Sequence, residues 1–407
     1  MTQLRQTAPG EAGEAHRLER VLLVVGVAAL GFNLRGAITS LPPVFPELSS
    51  RLQLSAAEVS VLAATPVICF AVFSGFAAWL SRRLGEERVL LGALVLLAAG
   101  LLLRGAAPGA MLFPGTVLAA AAIAIMNVLL SSLIKRRWPE RAGFLIGLYI
   151  TALSVGAITG SAASVPLWNA SGGSVGLTLG WLAGPAAIAA LLWMPQVRHA
   201  TRARSAAADL PALPPVVVRR HALAWYVTLF MGLQSLLYYA VLSWLPTILR
   251  DRGVSAGTAG DLLALMGVGN LAVSLIVPIV AQRMRTQYAL VVPTVAALAV
   301  GLAGVVYLPL GSAVAWVLIL GVGQNAALSL AIFFTMARAP HPMAAASLSA
   351  LAQSVGYLLA SAGPLEVGLL HSATGSWNLP VAVLFVLNGV LLIAGLLAAR
   401  DRVLPAA

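Results

Sequence analysis

The chain has 407 residues, 60% of them hydrophobic and only 9% charged, and its mean hydropathy is +0.94. That balance excludes a water-soluble globular domain. Apolar stretches long enough to cross a bilayer recur along almost the whole sequence, so the expected class is an all-α polytopic membrane protein. A formal net charge of +12 would suggest nucleic acid in a soluble protein. Here the arginines fall between apolar spans, where they report topology instead.

Residues 1–19 are polar and are expected to form a disordered cytoplasmic tail ahead of a retained first helix. Twelve spans are predicted, at 20–44, 56–80, 88–106, 112–134, 142–168, 175–195, 221–249, 256–280, 287–308, 312–337, 344–370 and 377–399. The longest polar interruption, 196–220, is read as a cytoplasmic central loop. It separates an N-terminal six-helix bundle, 20–195, from a C-terminal one, 221–400, and 401–407 form a second cytoplasmic tail. With both termini inside, twenty basic residues fall in cytoplasmic segments. Four fall on the other side: Arg51, Arg104, Arg250 and Arg252. The bias predicts a plasma-membrane protein with cytoplasmic termini. The single cysteine, Cys69, lies in a span and permits no intrachain disulfide.

Arg35 is the basic residue left over. It sits roughly fifteen residues into the first span, within Gly31-Phe32-Asn33-Leu34-Arg35-Gly36. A guanidinium at that depth costs about 3 kcal/mol on insertion scales and is a functional-site hypothesis by default. Snorkelling to a headgroup works only from near a helix end. A structural ion pair is the remaining bland reading, but no carboxylate is placed to provide it.

The two halves repeat each other. Ser154-Val155-Gly156 returns as Ser354-Val355-Gly356, Ser55-Ala56 as Ser255-Ala256, and Asn127-x-x-x-Ser131 as Asn325-x-x-x-Ser329. Such half-molecule repeats mark transporters whose substrate lies at the repeat interface. Gly31-Phe32-Asn33 also parallels Gly232-Leu233-Gln234, and at that offset Arg35 corresponds to Leu236. The expected scaffold is therefore duplicated and the charge is not.

The mid-span polar residues that could line a cavity with Arg35 are Asn33, Asn127, Tyr149, Gln234, Tyr238, Tyr239, Asn270, Asn325, Gln353 and Tyr357. Interhelical hydrogen bonding is the ordinary alternative for each Asn and Gln. The two adjacent tyrosines lie away from any interfacial belt, and their hydroxyls need partners if buried. Trp138, Trp168, Trp181, Trp193, Trp225, Trp316 and Trp377 lie near span ends and read as belt residues. Glu366 is kept as a candidate for proton coupling, with interfacial hydration as its alternative. Lys135 is the only lysine, so no phosphate-binding Gly-x-x-x-x-Gly-Lys loop exists. The five histidines form no metal motif. No catalytic residue, cofactor or metal is expected, and the chain is not read as an enzyme.

The duplicated six-span plan with a basic central loop resembles the major facilitator superfamily. Asn33-Leu34-Arg35 with Ile38-Thr39-Ser40, Leu133-Ile134-Lys135-Arg136-Arg137, Ser243-Trp244-Leu245-Pro246 and Leu262-Leu263-Ala264-Leu265-Met266 resemble its cyanate-permease/nitroimidazole-transporter (CynX/NimT) branch. The resemblance implies a gradient-driven secondary transporter of small anions or small polar heterocycles, working by alternating access. One stretch departs from it: where the superfamily has Asp-Arg-x-Gly-Arg-Arg, this chain has Arg82-Arg83-Leu84-Gly85-Glu86-Glu87.

The reading from sequence is a small anion or polar solute bound at Arg35 between the bundles, with the lipid bilayer as surroundings and no nucleic acid. Protons are a candidate coupling ion, and the expected state is a monomer. A multidrug-type efflux transporter with Arg35 structural, and a non-transporting membrane sensor, are the alternatives.

Overall fold

Backbone that has no water to bond to must satisfy itself, and along these apolar runs it does so as helix. The computed structural model describes residues 9–137, 141–203, 218–268, 270–340 and 342–405. The first half comprises α1 (Pro9–Thr39), α2 (Phe45–Leu52), α3 (Ala56–Leu84), α4 (Glu86–Ala106), α5 (Pro108–Arg137), α6 (Ala142–Ala170), α7 (Val175–Gly180) and α8 (Ala183–Ala203). The second comprises α9 (Ala222–Asp251), α10 (Ala256–Val268), α11 (Asn270–Gln282), α12 (Tyr288–Tyr307), α13 (Ala313–Ala337), α14 (Pro342–Ala360), α15 (Ala362–Thr374) and α16 (Asn378–Ala398).

Among the described residues, ten helical segments are long and apolar enough to cross a membrane. The remaining two predicted spans, 256–280 and 344–370, are each divided into two consecutive shorter helices, α10 with α11 and α14 with α15. The second division has a local cause. Pro364 has no N–H to give the Ala360 carbonyl, and its ring crowds that same turn, so α14 ends at Ala360 and α15 starts afresh at Ala362. The join between α3 and α4 is set by Gly85, whose φ of +91° suits a residue without a Cβ. It leaves Glu86 and Glu87 buried in the first turn of α4, where the helix dipole favours negative charge.

Within the first half α1 packs on α6 and α8, and α4 packs on α5, α7 and α8. In the second half α9 packs on α14 and α16, and α12 packs on α13. The halves meet where α3 faces α14 and α15, and where α6 faces α10.

Repeat-related words occupy equivalent places. Gly156 presses α6 onto α1 so closely that a Cβ there would lie 2.0 Å from the Phe32 carbonyl oxygen. Gly356, its counterpart, brings α14 onto α9 at Gly232, where a Cβ would stand 3.2 Å from the Gly232 nitrogen.

Two expectations about single residues are corrected. Trp193 is fully buried rather than in an interfacial belt, and its indole N–H donates to the Glu87 carbonyl at 3.1 Å. Arg104 is not a surface residue. It lies in the last turn of α4 with 1% of its surface exposed. Its Nε donates to the Leu179 carbonyl at 3.0 Å, and its Nη2 has no partner among the described residues. Arg35, partly exposed, is therefore not the most deeply withdrawn guanidinium. It is distinguished by where it points.

Candidate functional site

Arg35 lies in the last turns of α1, and its backbone is held by the first half. Thr39 Oγ1, one turn further on, donates to the Ala157 carbonyl at 2.8 Å and so ties α1 to α6. Gly36 rests against the Gly156 carbonyl, and Gly160 against the Gly36 carbonyl. These contacts fix the height and rotation of α1, and with them the direction in which the guanidinium leaves the helix.

That direction is across to the other half. Arg35 Nη1 donates to the hydroxyl of Tyr238 on α9. The guanidinium carbon stands 4.8 Å from the Tyr238 ring centroid and 5.9 Å from that of Tyr239, within the range of cation–π attraction. Tyr149 of α6 and Tyr357 of α14 complete the electrostatic surround of the charge. Arg35 makes no ion pair among the described residues. Arg35 is partly exposed, and a charge drawn even partly out of water without a counter-charge is poorly compensated by neutral hydroxyls and ring faces alone.

The rings form a continuous cluster. Tyr238 and Tyr239 meet edge to face at 5.2 Å. Phe70 of α3 is edge-on both to Tyr239, at 6.3 Å, and to Tyr357, at 5.7 Å. Arg35, Phe70 and Tyr149 come from the first half, and Tyr238, Tyr239 and Tyr357 from the second. Phe70 has no signal in the sequence, because one more aromatic in an apolar span carries no polar or periodic mark.

The other candidates divide. Asn33 is buried, and its Nδ2 donates to the Ala29 carbonyl at 2.9 Å and to the Pro185 carbonyl of α8 at 3.3 Å. Gln234 is buried and donates to Ser235 Oγ at 2.7 Å and to the Met231 carbonyl at 3.1 Å. Asn325 donates to the Gly321 carbonyl one turn back at 2.7 Å, and Gln353 to Ser349 Oγ at 2.9 Å. These four are occupied by hydrogen bonds within a half, not drawn into the ring cluster. Asn127 and Glu366 are partly exposed and make no hydrogen bond or ion pair among the described residues. The side chain of Asn270 lies outside the described residues.

Beyond Arg35, toward the end of the molecule away from the termini, the halves are joined again. An apolar cleft there is lined by Ile38, Phe45, Leu62, Pro66, Tyr239 and Leu242. Past it, Arg250 of α9 pairs with Glu47 of α2 at 2.9 Å, and Phe45 packs on Trp244 with ring centroids 6.2 Å apart. Gly368 of α15 is wedged against Ser60 and Trp244, so that a Cβ would come within 2.0 Å of Ser60 Oγ.

Two helical halves that share a scaffold and meet around a mid-span arginine define a polytopic transport protein. The sequence profile of the Major Facilitator Superfamily matches residues 21–364, and the chain belongs to that family. It is 36% identical to the 2-nitroimidazole transporter of Escherichia coli (strain K12) over 94% of this chain and 96% of that one. It is 29% identical to the cyanate transport protein CynX of the same organism, over 87% and 91% of the two chains. The similarity lies in the cyanate/nitroimidazole branch of transporters, and the chain is a multi-pass membrane protein and not an enzyme. A bacterial homologue of the human lysosomal transporter Spinster, solved in an inward-facing and occupied conformation, has the same fold. Its TM-score is 0.70 at 17% identity, over 95% of this chain and 99% of that one.

Proposed function

We propose that this protein is a plasma-membrane secondary transporter that binds a small anion, or a small solute with a strong hydrogen-bond acceptor, at Arg35 between its two halves. The observation that carries the reading is the direction of Arg35. It is positioned by α6, aimed at tyrosines of the other half, and supplied with no carboxylate among the described residues. A guanidinium so placed can give a ligand two parallel, charge-assisted hydrogen bonds. The ring faces of Tyr238, Tyr239, Tyr357 and Phe70 suit a flat, conjugated solute, and Tyr149 and Asn127 add polar lining. Asn33, Gln234, Asn325 and Gln353 support the helices that present this surface. Asn270 is retained as a lining residue on its place in the sequence alone.

The relatives' names favour the same class, since one is a transporter of 2-nitroimidazole and another of cyanate. In this reading both termini are cytoplasmic, the protein works as a monomer, and the halves rock about the site. The Glu47–Arg250 pair, the Phe45–Trp244 contact and the Gly368 wedge close the outward end. Protons are the candidate coupling ion, with Glu366 the carboxylate to test.

The test is thermal stabilisation of the purified protein by 2-nitroimidazole, cyanate and a set of apolar drugs, followed by uptake into proteoliposomes. Stabilisation by the first two, lost in Arg35→Gln, supports the assignment. Stabilisation by apolar drugs alone, unaffected by that change, indicates an efflux transporter in which Arg35 is structural. Ligand binding without flux would indicate a sensor.

A further inference from the structure

Arg35 has an acceptor within the protein, and that acceptor belongs to the opposite half: the hydroxyl of Tyr238. We infer that Tyr238 is a stand-in for the substrate, occupying the guanidinium in the unloaded carrier so that the two halves can close around the charge with nothing bound. The inference rests on Arg35 being the substrate site.

The physical problem it answers is specific to a one-sided charge. A carrier that reorients while empty must pass through a state in which water is squeezed away from Arg35. An unpartnered guanidinium in that state is strongly unfavourable. Nothing in the first half offers a counter-charge among the described residues, and the repeat-related position in the second half is Leu236, buried against Gly363. Tyr238 supplies both an oxygen and a ring face from across the interface, with the guanidinium carbon 4.8 Å from its centroid. Its neighbour Tyr239 is placed differently. Its ring lies 5.9 Å from Arg35 and makes edge contact with Phe70, and no hydrogen bond joins it to Arg35 among the described residues.

Two consequences follow. A substrate that accepts from Arg35 Nη1 must first displace the Tyr238 hydroxyl, so part of its intrinsic affinity is spent on that exchange. Removing the hydroxyl should therefore tighten binding. The same removal should hinder only the empty step. Net uptake requires the unloaded carrier to return, whereas counterflow cycles through loaded states on both sides. The predicted phenotype of Tyr238→Phe is tighter binding with slower net transport, which loss of a direct ligand contact or general destabilisation does not produce.

The experiment compares wild type, Tyr238→Phe, Tyr239→Phe and Arg35→Gln as purified full-length protein. Binding of 2-nitroimidazole and of cyanate is measured by calorimetry, and net uptake and counterflow of the same probes in proteoliposomes. The expected result for Tyr238→Phe is about tenfold tighter binding, the change that 1.4 kcal/mol would give. Net uptake should fall by about tenfold and counterflow by markedly less, so that the ratio of the two changes. Tyr239→Phe should show no such split. Binding that depends on Arg35 but is unchanged or weaker in Tyr238→Phe overturns the inference and leaves the site assignment standing. Binding that survives in Arg35→Gln, or no binding of either probe by any of the four proteins, overturns both.

Discussion

The α1–α6 seam and the α9–α14 seam are the same structural idea executed to different tolerances. In the first, Gly36, Gly156 and Gly160 bring backbone against backbone, with carbonyl oxygens occupying the space where a Cβ would stand. In the second, Gly232 and Gly356 also meet, but a Cβ on either would stand 3.1–3.3 Å from the other's backbone, with the side chains of Met231 and Leu359 beside them. Backbone cannot yield, whereas the end of a methionine or leucine can. The tighter seam carries Arg35 and Tyr149, and the looser one carries Tyr238, Tyr239 and Tyr357. The difference teaches that the charge is fixed by one half, and that the groups able to adapt to it, or to a ligand, are brought by the other.

Substitutions at the two seams separate them most sharply. Gly156→Ala is expected to be severe, costing roughly 3 kcal/mol or more through overpacking against immovable carbonyls. It should appear as a clearly lowered apparent melting temperature and loss of uptake. Gly356→Ala, whose Cβ would meet the Gly232 backbone at 3.2–3.3 Å and so needs only a small local shift, should cost about 1 kcal/mol. Equal losses in the two variants would show that the seams do not differ in rigidity.

The next effect is at the ring cluster. Phe70→Ala removes two edge-to-face contacts to the second half, each worth about 1 kcal/mol. It should weaken 2-nitroimidazole binding by about tenfold and affect cyanate, which has no ring to stack, much less. Equal effects on both probes would remove Phe70 from the site. A smaller change is expected from Arg250→Ala. The Glu47–Arg250 pair is partly exposed and so contributes at most about 1 kcal/mol. Its loss should raise the rate at which a thiol reagent modifies a cysteine introduced at Ser243 by no more than about fivefold. A much larger rise would make the pair a principal closure of that end.

The sequence made the scaffold legible because bilayer thickness and backbone satisfaction leave few options, and because a repeated word such as Ser-Val-Gly marks a repeated contact. Arg35 was legible for the same reason: a charge among apolar residues is conspicuous. Its surroundings were only half legible. Tyr149, Tyr238, Tyr239 and Tyr357 gather at the charge, but Asn33, Gln234, Asn325 and Gln353 turn to partners within a half. An amide in a membrane helix can satisfy itself locally or across an interface, and its position along the span does not distinguish the two. Phe70 was invisible because a membrane helix is apolar all round, so cavity-facing and lipid-facing positions share one alphabet. Arg104 escaped because a guanidinium near a span end can snorkel outward. Here it turns inward to the Leu179 carbonyl instead.

The central claim is that Arg35 is a ligand site rather than a structural charge. Its most direct measurement is the affinity of purified Arg35→Gln for 2-nitroimidazole and cyanate, alongside circular dichroism and size-exclusion profiles matching wild type. Losing a charge-assisted hydrogen-bond pair predicts a fall of roughly a hundredfold in binding with the fold retained. Wild-type affinity in a well-folded Arg35→Gln would contradict the account.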